Sequence, residues 1–134
     1  MAVSRKVFVN IPVRDLSASM AFWKKLGFEF NPKFTDENAA SMILSEEAYV
    51  MLLKQKFFET FTKRDVADSS KTTEMLVALS CESRAEVDEL VKLALASGGK
   101  AAMPPMDHGF MYGHSFYDLD DHHWEVLWMD PASV

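Results

Sequence analysis

The sequence predicts an α+β chain of two βαβββ modules, and three observations carry that expectation. The order strand, capped helix, strand, strand, strand is read twice along 134 residues. Aligning Val13 with Cys81 places a helix start two residues later in both copies, at Asp15 and Ser83. Glycine stops each helix, Gly27 in the first copy and Gly98-Gly99 in the second. Identity between the halves is poor, so the duplication rests on element order. Module one is expected over about 5–56, a connector over about 57–73 and module two over about 74–130, together forming one domain.

In module one, Lys6–Val13 alternates as a strand, with Val7, Val9, Ile11 and Val13 on one side and Phe8, Asn10 and Pro12 on the other. Pro12 has no N–H for a ladder and belongs near a strand end or on an edge. Asp15 caps a helix whose stripe is Leu16, Met20, Trp23 and Leu26. Phe28–Phe30 begins a second strand, which Pro32 helps to end. Ala39–Leu44 and Ala48–Leu53 form an antiparallel pair turned by Ser45-Glu46-Glu47. Phe57, Phe58 and Phe61 mark a short helical turn. The polar stretch Thr62–Thr73, with Ser69-Ser70 at its centre, reads as a linker rather than a lid.

Module two opens with a strand over Met75–Cys81. Ser83-Arg84-Ala85-Glu86 has the capping-box pattern, and Val87, Leu90, Val91 and Ala94 make the helical stripe. Three strands follow, at Lys100–Met103, Tyr112–Tyr117 and His123–Met129. In the last, Trp124, Val126 and Trp128 take the core side, which turns His123, Glu125, Leu127 and Met129 the other way.

A net charge of −6 and a pI near 5.1 leave no basic surplus to neutralise phosphates, so neither nucleic acid nor an anionic membrane is an expected partner. No apolar run approaches the roughly 20 residues of a membrane-spanning helix. The N-terminal stretch is interrupted by Asn10, Pro12 and Arg14 and does not read as a signal peptide. Cys81 is the only cysteine, which excludes an intrachain disulfide and suits a reduced, cytoplasmic setting. Its expected role is that of a small buried strand residue.

Three segments together resemble the vicinal oxygen chelate superfamily of glyoxalase I, bleomycin-resistance proteins and extradiol dioxygenases. They are Ile11–Leu16 with Ala21–Phe28, then Glu86–Asp88 through Ala96–Gly99, then Asp118-Leu119-Asp120-Asp121-His122-His123-Trp124-Glu125. The last is close to the family's final hairpin, with Asp121 where glycine usually takes a positive φ. The resemblance implies that the two modules form a half-open barrel around a central cavity, and that the protein is a homodimer. It also places the metal ligands of metal-dependent members at Phe8, Met51, Leu76 and Glu125. Only Glu125 is a competent ligand for a divalent ion. No cofactor is expected on that basis.

The cavity is expected to be lined by Phe8, Asn10, Met51, Leu76, Tyr112, His114 and His123, with Glu125 and His108 as the candidate catalytic groups. A carboxylate desolvated among apolar side chains suits a general base, and a loop histidine such as His108 suits proton transfer near neutral pH. His123 and Glu125 share a strand face about 6.8 Å apart, whereas His122 belongs to the solvated turn. All four histidines lie between positions 108 and 123.

The leading expectation is a metal-independent protein that binds or acts on a small organic molecule in an apolar cavity, for which nine methionines and ten phenylalanines are suited. The rival is a divalent-metal lyase or dioxygenase using Glu125 with His108, His114 or His123. A third reading keeps the fold for protein association alone.

Overall fold

The computed structural model describes residues 3–133, and two clusters of contacts divide the chain between Val66 and Ala67. In the first unit, β1 (Val7–Val13) leads to α1 (Leu16–Lys25), β2 (Glu29–Phe30), β3 (Ala39–Ile43) and β4 (Ala48–Lys54). The sheet order is β1-β4-β3-β2, with β1 parallel to β4 and the other pairs antiparallel. Pro12 is next to last on an edge strand, where its missing N–H costs the ladder least.

The Asp15 side chain accepts from Ala18 N–H at 3.0 Å and starts α1, while Lys24 and Lys25 face the negative end of its dipole. Leu16, Phe22 and Trp23 are buried and α1 packs on β3 and β4, whose Met42, Val50 and Leu52 are also buried. Trp23 meets Phe22 and Phe28 edge-on, with centroids 5.2 and 5.3 Å away. The phenylalanine turn forms as α2 (Gln55–Phe58) and a 3-10 turn at Glu59–Phe61, with Phe57 and Phe61 edge to face.

The second unit contains β5 (Val77–Ser80), α3 (Arg84–Ala96), β6 (Lys100–Ala101), β7 (Met106–Asp107), β8 (Met111–Tyr117) and β9 (His123–Met129). Its order is β5-β9-β8-β6, with β7 also pairing β8 and β5 parallel to β9. The strand order of the first unit thus recurs, and the mixed α+β fold expected from the sequence is the one observed. Gly27 and Gly98 end their helices with φ of 98° and 106°, a conformation that side-chain-bearing residues resist.

Local details depart from the sequence reading. β5 begins at Val77, so Leu76 lies just outside it, and β6 ends two residues earlier than expected. β7 was not expected, because two residues between the Pro104-Pro105 pair and a turn carry no alternation to read. At α3 the Ser83 hydroxyl oxygen accepts from Glu86 N–H at 3.0 Å, as a capping box requires. The Glu86 carboxylate, however, accepts from Glu82 N–H at 2.7 Å rather than from the cap residue itself.

Candidate functional site

The β8–β9 register sorts every side chain of the last hairpin onto one of two faces. Tyr112 pairs with Trp128, His114 with Val126 and Phe116 with Trp124, and directly opposed residues point the same way. This face is the buried one: Phe116, Trp124 and Val126 are each 1% exposed, and α3 packs on both strands. The other face carries Tyr117 opposite His123, Ser115 opposite Glu125 and Gly113 opposite Leu127, with Ala78 of β5 beside Glu125.

Two expected cavity residues are therefore misplaced by the sequence reading. Tyr112 and His114 lie on the helix side, not with Glu125 and His123. Strand periodicity assigned residues to alternate faces correctly within each strand, but only the pairing register says which face of β8 matches which face of β9. The Tyr112 hydroxyl donates to Asp88 of α3 at 2.6 Å, a bond that, with burial, raises the phenol pKa. The Nδ1 atom of His114 is buried without a hydrogen-bond partner among the described residues.

Glu125 is half-buried in the middle of β9, and among the described residues no hydrogen bond or ion pair engages its carboxylate. His123 stands on the same face, its ring 5.3 Å from that of Tyr117 at 62°. Its Nε2 is likewise buried and unpartnered among the described residues. The strand brings a free carboxylate and an imidazole together, about 6.8 Å apart along β9.

His108 is not brought to Glu125. It sits in an exposed turn whose β7 flank pairs with Gly113 and Tyr112, roughly 10 Å along the sheet from the Ser115–Glu125 pair. Its backbone N–H donates to Met111 O at 2.8 Å, and Phe110 lies 6.4 Å away ring to ring. Arg84 fastens that turn to the start of α3. Its guanidinium donates to both Asp107 carboxylate oxygens at 2.8 and 3.0 Å and to Gly109 O at 2.8 Å. The same group lies 5.1 Å from the ring centroids of both Tyr112 and Trp128. Arg84 holds the Asp107 carboxyl at about 2, well below the usual 3.8. No local pattern marks this clamp, since its parts lie 23 or more positions apart.

In the first unit, Phe8 and Asn10 pair with Tyr49 and Met51, which places all four on the face opposite the one buried by α1. Phe8 is 54% exposed and stacks on Tyr49 at 5.2 Å, while Asn10 Nδ2 donates to Phe8 O at 3.2 Å. Leu76, in the second unit, is half exposed.

A hairpin turn built on Asp118 supports β9. The Asp118 carboxylate is 3% exposed and accepts from Asp120 N–H at 2.8 Å, His122 N–H at 3.0 Å and the Trp124 indole at 2.8 Å. Burial raises its pKa against those bonds. Asp121 takes φ 65°, the left-handed turn expected of it. Cys81 is buried, and desolvation with the nearby Glu86 carboxylate pushes its thiol up to about 12.

A divalent metal is not suited to the four positions that the resemblance marks for it. Phe8 and Leu76 have no donor atom, and Met51 offers only a thioether. Among the described residues, no three His, Cys, Asp or Glu side chains are grouped to hold an ion.

Residues 5–45 match the sequence family described as bleomycin resistance protein-like N-terminal. No curated protein matches the sequence. Among solved structures, a hypothetical protein from S. aureus is 27% identical over 95% of both chains, with a TM-score of 0.79. A glyoxalase/bleomycin resistance protein/dioxygenase family enzyme from Burkholderia phytofirmans is 18% identical, covering 91% of this chain and 96% of its own, at a TM-score of 0.75. A fosfomycin resistance protein from Mesorhizobium loti is 13% identical over 98% of both chains, at 0.70.

Proposed function

We propose, on the premise that by fold this chain belongs to the glyoxalase/bleomycin resistance/dioxygenase group of the vicinal oxygen chelate superfamily, that it binds a small organic molecule without a metal. Glu125 and His123 on the helix-free face of the second sheet are the polar anchors. The ligand is largely apolar with one hydrogen-bond donor or cationic group for Glu125.

The observation that supports this most is the chemistry of the four marked positions. Three are Phe8, Met51 and Leu76, while the one carboxylate, Glu125, has no protein partner among the described residues. A half-buried carboxylate that no protein group engages among the described residues is available to a hydrogen-bond-donating or cationic ligand group. Catalysis, where it occurs, would use Glu125 as the base; His108 is held away from it by the Arg84 clamp. The protein is further proposed to be a cytoplasmic homodimer, for which light scattering is the test.

Two measurements on untagged protein decide the reading. Metal analysis should give substoichiometric Zn²⁺, Ni²⁺, Mn²⁺ and Fe²⁺; one equivalent of any of these, lost in Glu125→Gln, would sink it. A thermal-shift screen of small organic molecules should find a stabilising class whose shift shrinks in Glu125→Gln. A screen silent throughout would favour the association reading instead.

A further inference from the structure

A polar pocket of about 310 Å³ lies wholly within the second unit, between the connector segment Ser69–Thr73 and the β6–β8 side of the sheet. Lys100, Tyr117 and Asp121 form its opposite wall. None of the anchors assigned above lines it. By its polar sequence alone this connector reads as a linker.

The connector is shaped to hold this wall in place. Asp68 accepts from Ser70 N–H at 3.0 Å and the Ser70 hydroxyl at 2.6 Å, and its carbonyl accepts from Lys71 and Thr72 N–H, both at 3.0 Å. Ser69 ties the turn to the hairpin by donating to Asp120 O at 2.6 Å. On the sheet side, Lys100 Nζ donates to Asp121 at 2.9 Å, which fixes the ammonium and leaves two of its protons available.

Two kinds of polar group make up the wall. Lys71 Nζ, the Thr73 hydroxyl and the Tyr117 hydroxyl have no partner among the described residues and are free donors. The Ser69, Ser70 and Thr72 hydroxyls already donate, to Asp120 O, Asp68 and Asp68 O, so toward a ligand their oxygens can only accept. One carboxylate, Asp121, stands against two ammonium groups, in a chain whose net charge is −6. The lining thus carries one more cation than carboxylate, with the Asp68 carboxylate bonded to Ser70 beside it. Four donors, two of them ammonium point charges, match the three terminal oxygens and near-double charge of a phosphate monoester better than the two oxygens and single charge of a carboxylate.

We propose that this pocket binds a small hydroxylated phosphate monoester. Lys71, Lys100 and the Tyr117 and Thr73 hydroxyls hold the phosphate, and the Ser69, Ser70 and Thr72 oxygens accept from the ligand's own hydroxyls. The volume is at the lower end of small-molecule sites, which limits the ligand to a short carbon skeleton.

Calorimetric titration of the full chain with glycerol 3-phosphate, inorganic phosphate, acetate and glycerol tests both halves of the assignment. Glycerol 3-phosphate is expected to bind one to one, about tenfold tighter than inorganic phosphate, with acetate and glycerol silent. Lys71→Ala and Tyr117→Phe should each weaken the ester about fivefold or more while leaving the unfolding temperature unchanged. Added salt should weaken binding in the parent chain more than in Lys71→Ala. Absence of ester binding at about 10 mM, equal affinity for ester and inorganic phosphate, acetate binding as tight as phosphate, or unchanged affinity in Lys71→Ala would each overturn the proposal.

Discussion

In the first sheet, the closing strand β4 sets Tyr49 and Met51 beside Phe8 and Asn10; in the second, β9 sets His123 and Glu125 beside Tyr117 and Ser115. The strand order is the same, and so is the alternation that turns one face to a helix and leaves the other free. What differs is the chemistry written on the free face. Apolar contacts dominate one copy, and a carboxylate with an imidazole occupies the other. A strand order repeated in both copies, with β7 added only in the second, leaves the free face unconstrained by folding, so function diverges there first.

The hairpin turns differ in the same way, and they predict the largest effect. In the second unit the turn is built around the buried Asp118, whereas in the first the Ser45 hydroxyl accepts a single exposed bond from Glu47 N–H at 3.1 Å. Asp118→Ala strands the Trp124 indole and two backbone N–H groups and is expected to cost about 3 kcal/mol, measured by urea unfolding. Asp118→Asn keeps one acceptor and should cost about half as much. Ser45→Ala in the equivalent turn should cost about 0.5 kcal/mol or less. Equal losses at the two turns would remove the contrast.

The next prediction concerns acid. α3 begins with Arg84 clamped to Asp107, while α1 begins Leu16-Ser17-Ala18 and has no cation at that place. Because folding depresses the Asp107 pKa, its contribution is present above the unfolded value of 3.8 and is lost as pH falls towards about 2. The melting temperature of the parent chain should exceed that of Asp107→Asn by a constant margin above about pH 5, and the margin should close on acidification. A margin independent of pH would mean that the ion pair is not its source.

A small effect is also expected where the copies are most alike. Val13 and Cys81 hold equivalent places before the two helix caps, and both are buried. Cys81→Val should change stability by less than about 1 kcal/mol. With its thiol pushed up to about 12, Cys81 should resist thiol reagents in native protein at mildly alkaline pH and react only on unfolding. Fast labelling of the folded chain would contradict the assigned burial.

Much of this architecture was legible in the sequence because it is local. The Asp15 and Ser83 caps, the glycine stops and the alternation in His123–Met129 each express their structure within a few residues. So does the poverty of ligand atoms at Phe8, Met51 and Leu76, once a resemblance says where to look. The tertiary structure alone decided what depends on register and distant pairing. Register sent Tyr112 and His114 to the helix side, away from Glu125, because a strand's period-2 pattern is silent about which neighbour it faces. Long-range contact joined Arg84 to Asp107 across the β7–β8 turn, and set a polar connector opposite Lys100 and Tyr117. Glu125 was visible from the sequence as the exceptional residue of its face, and its lack of a protein partner among the described residues was visible only once the strands were laid together.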